Sequence, residues 1–158
     1  HETLFIFKDY TNRIDVTSSK DALCGYQKGK CFYCLKDISI KSGFANSCEV
    51  DHFFPHMLSK HKVLNINQVW NLVLACKDCN RGANGKFERL PDKKFLTLLN
   101  RRNNYYVESH HPLRETIIRQ TGQTNNERSN FLQNFLNIAS DIIPIGNWSP
   151  PETLGDEI

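Results

Sequence analysis

The sequence predicts a small α+β protein in which a zinc-stapled core of two strands and a short helix is followed by a helical C-terminal extension. Three observations predict it. Two Cys-x-x-Cys pairs, Cys31/Cys34 and Cys76/Cys79, carry the spacing of one four-thiolate zinc site. Two runs rich in β-branched and aromatic residues lead into Asp51-His52 and into Cys76. From Lys94 onward, apolar residues recur at helical spacing.

The elements follow in order. LFIF, between Thr3 and Lys8, reads as a strand or a docking segment. A short helix is expected over Ser18–Gln27, capped by Ser18 or Ser19, with Ala22, Leu23 and Tyr26 on one face. Gly29 to Cys34 resembles a zinc knuckle, and Leu35–Ile40 reads as a strand. Cys48–Phe53 alternates in polarity and reads as a strand ended by Pro55, which cannot donate to a ladder. Met57–Gln68 is polar, a surface loop or a short helix, and Val69–Ala75 is a buried strand containing a core Trp70. A helix is expected over Asn80–Lys86 with Asp78 as cap. Lys94–Tyr106 reads as an amphipathic helix with Arg101 and Arg102 at a basic end. Pro112–Gln120 is a further helix closed by Gly122. Thr124-x-x-Glu127 has capping-box spacing ahead of Phe131, Leu132, Phe135 and Leu136. Pro144, Gly146, Pro150 and Pro151 mark an irregular acidic tail.

Composition narrows the function classes. A chain of 158 residues, 39% hydrophobic and 23% charged, is ordinary for one compact core. No apolar run approaches the roughly 20 residues of a membrane span, and the N-terminus lacks a signal-peptide pattern, so a cytoplasmic protein with no membrane partner is expected. A chain opening on His1 reads as a processed product or, by preference, as a piece of something longer, with partner domains or subunits elsewhere. The net charge is only +3, but Cys76–Tyr105 holds eight Lys/Arg against three Asp/Glu, a patch suited to a polyanion. Cys24 and Cys48 lie among apolar or small neighbours and read as core residues rather than ligands.

The chemistry concentrates between the cysteine pairs. Phosphodiester hydrolysis needs an activated water and a Lewis acid for the leaving oxygen. His52 can take a proton from water near neutral pH. Asp51 offers a hard carboxylate oxygen to Mg²⁺ or Mn²⁺, and Asn80 a neutral carbonyl oxygen. Asn84, four residues on, would share the helical face of Asn80 and add a ligand or a phosphate contact. Arg81, Lys86 and Arg89 are candidate phosphate contacts, and His56 touches phosphate or metal or orders its loop. Glu49 is either an exposed strand residue or an orienting one. His61, His110 and His111 are surface or capping residues.

Through EVDHFFPH, WNLVLACKDCN and CFYC, the chain resembles the HNH, or ββα-metal, endonucleases. The resemblance implies a general base at His52, a metal ligand at Asp51, a loop-bracing Asn71 that helps orient the base, and a metal-completing Asn80. Asn rather than His at that third position is similar to the His-Asn-Asn branch. It implies one structural zinc, catalytic Mg²⁺ or Mn²⁺, and DNA as partner; RNA or a branched junction stands as the alternative substrate, between which and DNA the sequence does not choose. It also implies a nuclease module of a larger defence protein, of restriction or CRISPR type. On this basis the expected organisation is an N-terminal segment at 1–28, the nuclease core at 29–91, the helical extension at 92–145 and the acidic tail at 146–158. The competing reading is a non-catalytic zinc module that binds nucleic acid or a protein partner, with Asp51 and His52 structural.

Overall fold

A computed structural model describes residues 20–143 and 147–151. The expected strand or docking segment at 3–7, the caps at Ser18 and Ser19, and most of the acidic tail lie outside them. The architecture is α+β, a two-stranded antiparallel sheet flanked by a cysteine cluster and covered by helices. Helix α1 is Lys20–Gln27; β1 is Glu49–His52; β2 is Leu72–Ala75; α2 is Lys77–Arg81; α3 is Lys93–Glu108; α4 is Arg114–Thr121; α5 is Asn125–Ile142. Glu49 pairs with Ala75, and His52 with Leu72.

Several expectations shift for physical reasons. Leu35–Ile40 forms no strand, because Leu35 turns left-handed (φ 68°) to close the first knuckle; two isolated bridges, Lys30 to Asp37 and Ser39 to Ser47, remain. The apolar run from Val69 starts as a 3₁₀ turn, Val69–Asn71, before extending. The short helix begins three residues earlier than expected, at Lys77, and ends at Arg81. Its cap is the Cys76 thiol, which accepts from the Cys79 amide, rather than Asp78. Within the 53–71 connection, His56–His61 is a 3₁₀ helix.

Strand β2 is wholly buried, and two side chains together with the Phe32 amide, which donates to the Leu74 carbonyl (2.9 Å), finish its hydrogen bonding. On the α1 side, Gln27 donates to the Leu74 carbonyl (2.7 Å) and accepts from its amide (3.0 Å), as a third strand would. On the α3 side, Arg102 donates to the carbonyls of Leu72 (2.7 Å), Trp70 (3.0 Å) and Val69 (3.3 Å). Arg102 is therefore not part of a solvated basic end: it lies on the buried face with Phe95, Leu98, Leu99 and Tyr106. Asp92 caps α3, and α5 carries the expected capping box, Thr124 with Glu127. Gly122 closes α4 at φ 145°, where a Cβ would stand 2.6 Å from that of Glu127. Phe131 and Phe135 of α5 pack their rings 4.8 Å from Trp70, which is fully buried. Cys48 is buried and Cys24 half-buried, neither in the sulfur cluster. The chain then returns to the core at Trp148, paired with Pro91. Among the described residues, no helix is long and apolar enough to cross a membrane.

Candidate active site

Each cysteine pair sits where backbone amides can face its sulfurs. The Cys31 thiol accepts from the amides of Tyr33 (3.4 Å) and Cys76 (3.3 Å), and the Cys76 thiol from Cys79 (3.4 Å). All four sulfurs lie within 4.8 Å of one another. Zinc–sulfur bonds of about 2.3 Å give a tetrahedron with edges of about 3.8 Å, and Cys34 and Cys76 stand 3.8 Å apart. The donor set fits zinc. Bonds from Cys31 and the other sulfurs pull the Cys76 thiol far below its ordinary range, and Cys31 holds Cys34 down to about 7. The same crowding pushes Cys31 and Cys79 up. Four thiolates so close need a dication, which binding of zinc supplies. Among the described residues, these four form the one cluster of three or more His, Cys, Asp or Glu able to share an ion.

Across the sheet, β1 delivers Asp51 and His52 to a strand end. Alternation sends them to opposite sides, and their surroundings differ accordingly. Asp51 is buried, and its Oδ2 accepts from the Tyr33 hydroxyl (2.6 Å) and pairs with Lys86 Nζ (3.4 Å). Oδ1 has no hydrogen-bond partner among the described residues. His52 is half-buried, and its Nε2 meets Asn67 Oδ1 at 2.7 Å. An amide oxygen there accepts, so Nε2 carries the proton and Nδ1 keeps the lone pair. Burial pulls the His52 pKa below its ordinary value despite the Asn67 bond and the Asp51 charge.

Asn71 is fully buried: it accepts from the Phe54 amide (2.8 Å) and donates to the carbonyls of Phe54 (3.0 Å) and Ile66 (2.8 Å), clamping both ends of the loop after His52. The bond to the imidazole comes from Asn67, which sequence reasoning missed because a loop asparagine carries no signal. Tyr33 was missed as a partner of Asp51 too, although it sits inside CFYC. Asn80 donates Nδ2 to Glu49 Oε1 (2.7 Å), a bond that does not engage its carbonyl oxygen. Glu49 is thus half-buried and paired with Asn80 and Arg81 rather than an exposed strand residue, and Arg81 holds its carboxyl below the usual range.

Of the three basic residues, Arg81 and Arg89 are exposed and one, Lys86, requires correction. Lys86 is fully buried and donates to the His52 carbonyl (2.8 Å), so it is no surface phosphate contact. Arg81 forks onto both Glu49 oxygens (2.6 to 2.9 Å). Arg89 donates to the carbonyls of Lys86 (3.4 Å) and Gly85, fastening its own turn. Asn84 lies beyond the end of α2 and off the face of Asn80; it lines a cleft of about 220 Å³ beside Cys34, Cys76 and Pro150. His56 is exposed, its ring 5.2 Å from that of His52. His61 and His110 are exposed, and His111 Nδ1 accepts from the Leu113 amide (3.1 Å), a capping role.

Residues 31–91 match the profile of a family described as HNH endonuclease. Searches of curated proteins and of solved structures gave no match. The resemblance read from the sequence therefore stands over this span, which supports a nuclease-type function and a nucleic-acid substrate.

Proposed function

We propose that this HNH-type chain is a divalent-metal-dependent endonuclease that hydrolyses DNA phosphodiester bonds, with His52 as general base. The observation that carries the reading is the imidazole fixed at Nε2 by Asn67, its Nδ1 without a hydrogen-bond partner among the described residues, one residue beyond a buried carboxylate. Burial keeps His52 neutral at pH 7, the state a base requires. Asp51 Oδ1 and Asn80 Oδ1 are hard oxygen donors that fit Mg²⁺ or Mn²⁺, ions that bind through one or two carboxylates and keep several waters. Bound there, such an ion would supply Lewis acidity toward the scissile phosphate. His52 Nδ1 takes the proton of the attacking water, Asn67 steadies the imidazolium through Nε2–H, and Asn71 holds the loop at the strand end. Phosphate contacts position the strand without reading sequence, so targeting falls to other domains or subunits, as in a restriction or CRISPR-type defence protein.

The test is nicking of supercoiled plasmid by zinc-loaded protein across a Mg²⁺ titration. Metal-dependent nicking that is lost in His52→Ala, with zinc content and melting retained, supports the enzyme. Equal background nicking by both proteins, with nucleic-acid binding intact, supports a non-catalytic zinc module instead.

A further inference from the structure

The Tyr33 hydroxyl is the shortest contact to the candidate metal carboxylate, yet Tyr33 belongs to the zinc knuckle. It is fully buried, and its ring cannot swing: Phe32 packs edge-on at 5.2 Å, Phe95 at 5.4 Å and Trp148 at 5.1 Å. Trp148 lies beyond the family-matched span and is itself pinned. Its amide donates to the Leu90 carbonyl (2.8 Å), its carbonyl accepts from Asp92 (2.7 Å), and its indole N–H donates to the Asn84 carbonyl (2.8 Å). The C-terminal return thus fixes the phenol, and the phenol fixes one oxygen of Asp51.

We propose that Tyr33, backed by Trp148, is a positioning residue that keeps Asp51 able to bind a catalytic metal ion through Oδ1. The proposal rests on the reading of Asp51 as a metal ligand. Lys86 Nζ stands 3.4 Å from the same Oδ2, close enough to compete for the carboxylate. With the hydroxyl in place, Oδ2 is shared and the carboxylate plane is fixed. Without it, Lys86 is the remaining side-chain partner of the carboxylate among the described residues, both oxygens can turn toward its ammonium, and the metal must then displace an ion pair. The hydroxyl lies 2.6 Å from Oδ2 and donates to it, so the carboxylate is held from its buried side.

The experiment measures Mn²⁺ binding to zinc-loaded protein by the loss of free-ion paramagnetic resonance signal, alongside single-turnover cleavage of a labelled duplex. Asp51→Asn should lose most Mn²⁺ affinity. Tyr33→Phe should weaken Mn²⁺ binding by about tenfold, the usual size of losing a residue that orients a metal ligand. The Mn²⁺ concentration for half-maximal cleavage should rise by the same factor, with the saturated rate unchanged. Trp148→Phe keeps the hydroxyl but thins the packing behind it, and should shift the same constant by less in the same direction. It also serves if Tyr33→Phe fails to hold zinc. Wild-type Mn²⁺ affinity in Tyr33→Phe or, where that variant does not fold, in Trp148→Phe, with affinity lost in Asp51→Asn, overturns the positioning role and leaves the ligand reading standing. Unchanged Mn²⁺ affinity in Asp51→Asn overturns both.

Discussion

Replacing Lys86 by methionine separates two incompatible pictures of the basic stretch after Asn80. If Lys86 touched phosphate, its loss would flatten the log-log salt dependence of duplex binding by about 0.9 and leave the fold alone. In the structure it does something else: its ammonium is fully buried, bonds the His52 carbonyl at 2.8 Å and faces Asp51 at 3.4 Å. Lys86→Met keeps most of the volume but strips the His52 carbonyl of its side-chain donor and Asp51 of its counter-charge. A buried carbonyl left unpaired costs about 1–3 kcal/mol, and breaking a buried ion pair about 3–5 kcal/mol. Tyr33 still holds Asp51, so the lower ends apply and the expected loss is about 4 kcal/mol. Against a total stability of about 5–15 kcal/mol this is severe. With an m-value of about 2 kcal/mol per molar urea, the unfolding midpoint falls by about 2 M. Urea titration at fixed free zinc, followed by Trp fluorescence, measures it. The double variant Lys86→Met/Asp51→Asn should cost less than the sum of its singles. A midpoint shift under about 0.5 M, together with a flatter salt slope, would refute the buried role.

Three further outcomes are expected. Natively purified protein should contain one zinc per chain, lost in Cys76→Ser with collapse of melting, because that thiol is one of the four clustered donors and serine replaces only its capping of α2; Cys24→Ala and Cys48→Ala should retain it, as elemental analysis will check. In single-turnover cleavage, His52→Ala should lose about a hundredfold to ten-thousandfold in rate with no rescue by metal; Asn67→Ala should lose about tenfold with zinc and melting unchanged. Burial holds His111 below its ordinary pKa, and its Nδ1 accepts from Leu113 only when unprotonated. Its stabilising contribution is therefore complete above pH of about 6.5 and is lost as pH falls below that value. The melting difference between wild type and His111→Gln should shrink from pH 7.5 to pH 5, and a constant gap would contradict this.

The parts of the fold legible in the sequence were those whose chemistry imposes a local spacing. Four thiolates around one ion require two tight pairs, and a capping box requires Thr124 three residues before Glu127, so both stand in the chain as written. Positions set by long-range burial were not legible. Lys86 follows a glycine-rich turn and looks like any surface lysine; what buries it is the strand end it meets 34 residues back in the chain. Asn67 had no signal, since its meaning depends on how Asn71 folds the loop around it. Arg102 was legible and was misread: it continues the spacing of Phe95, Leu98 and Leu99, and the charge hid the pattern. Alternation along β1 sends Asp51 and His52 to opposite sides, which the separate partners Tyr33 and Asn67 reflect.

The way β2 is completed has a kinetic meaning. A strand normally finds its partners in other strands, and a sheet can gain or shed one without disturbing the rest. Here Gln27 lies 47 residues before Leu74, and Arg102 lies 30 residues after Leu72. Until α1 and α3 have both docked, β2 holds polar groups that only water can satisfy, and burying it early would leave them unpaired. The strand should therefore gain protection from hydrogen exchange in one step with both helices, not ahead of them. The same arrangement leaves no free edge on that side for a neighbouring chain to extend, so the α1 and α3 side chains guard a nascent chain against strand-mediated association as they complete its fold.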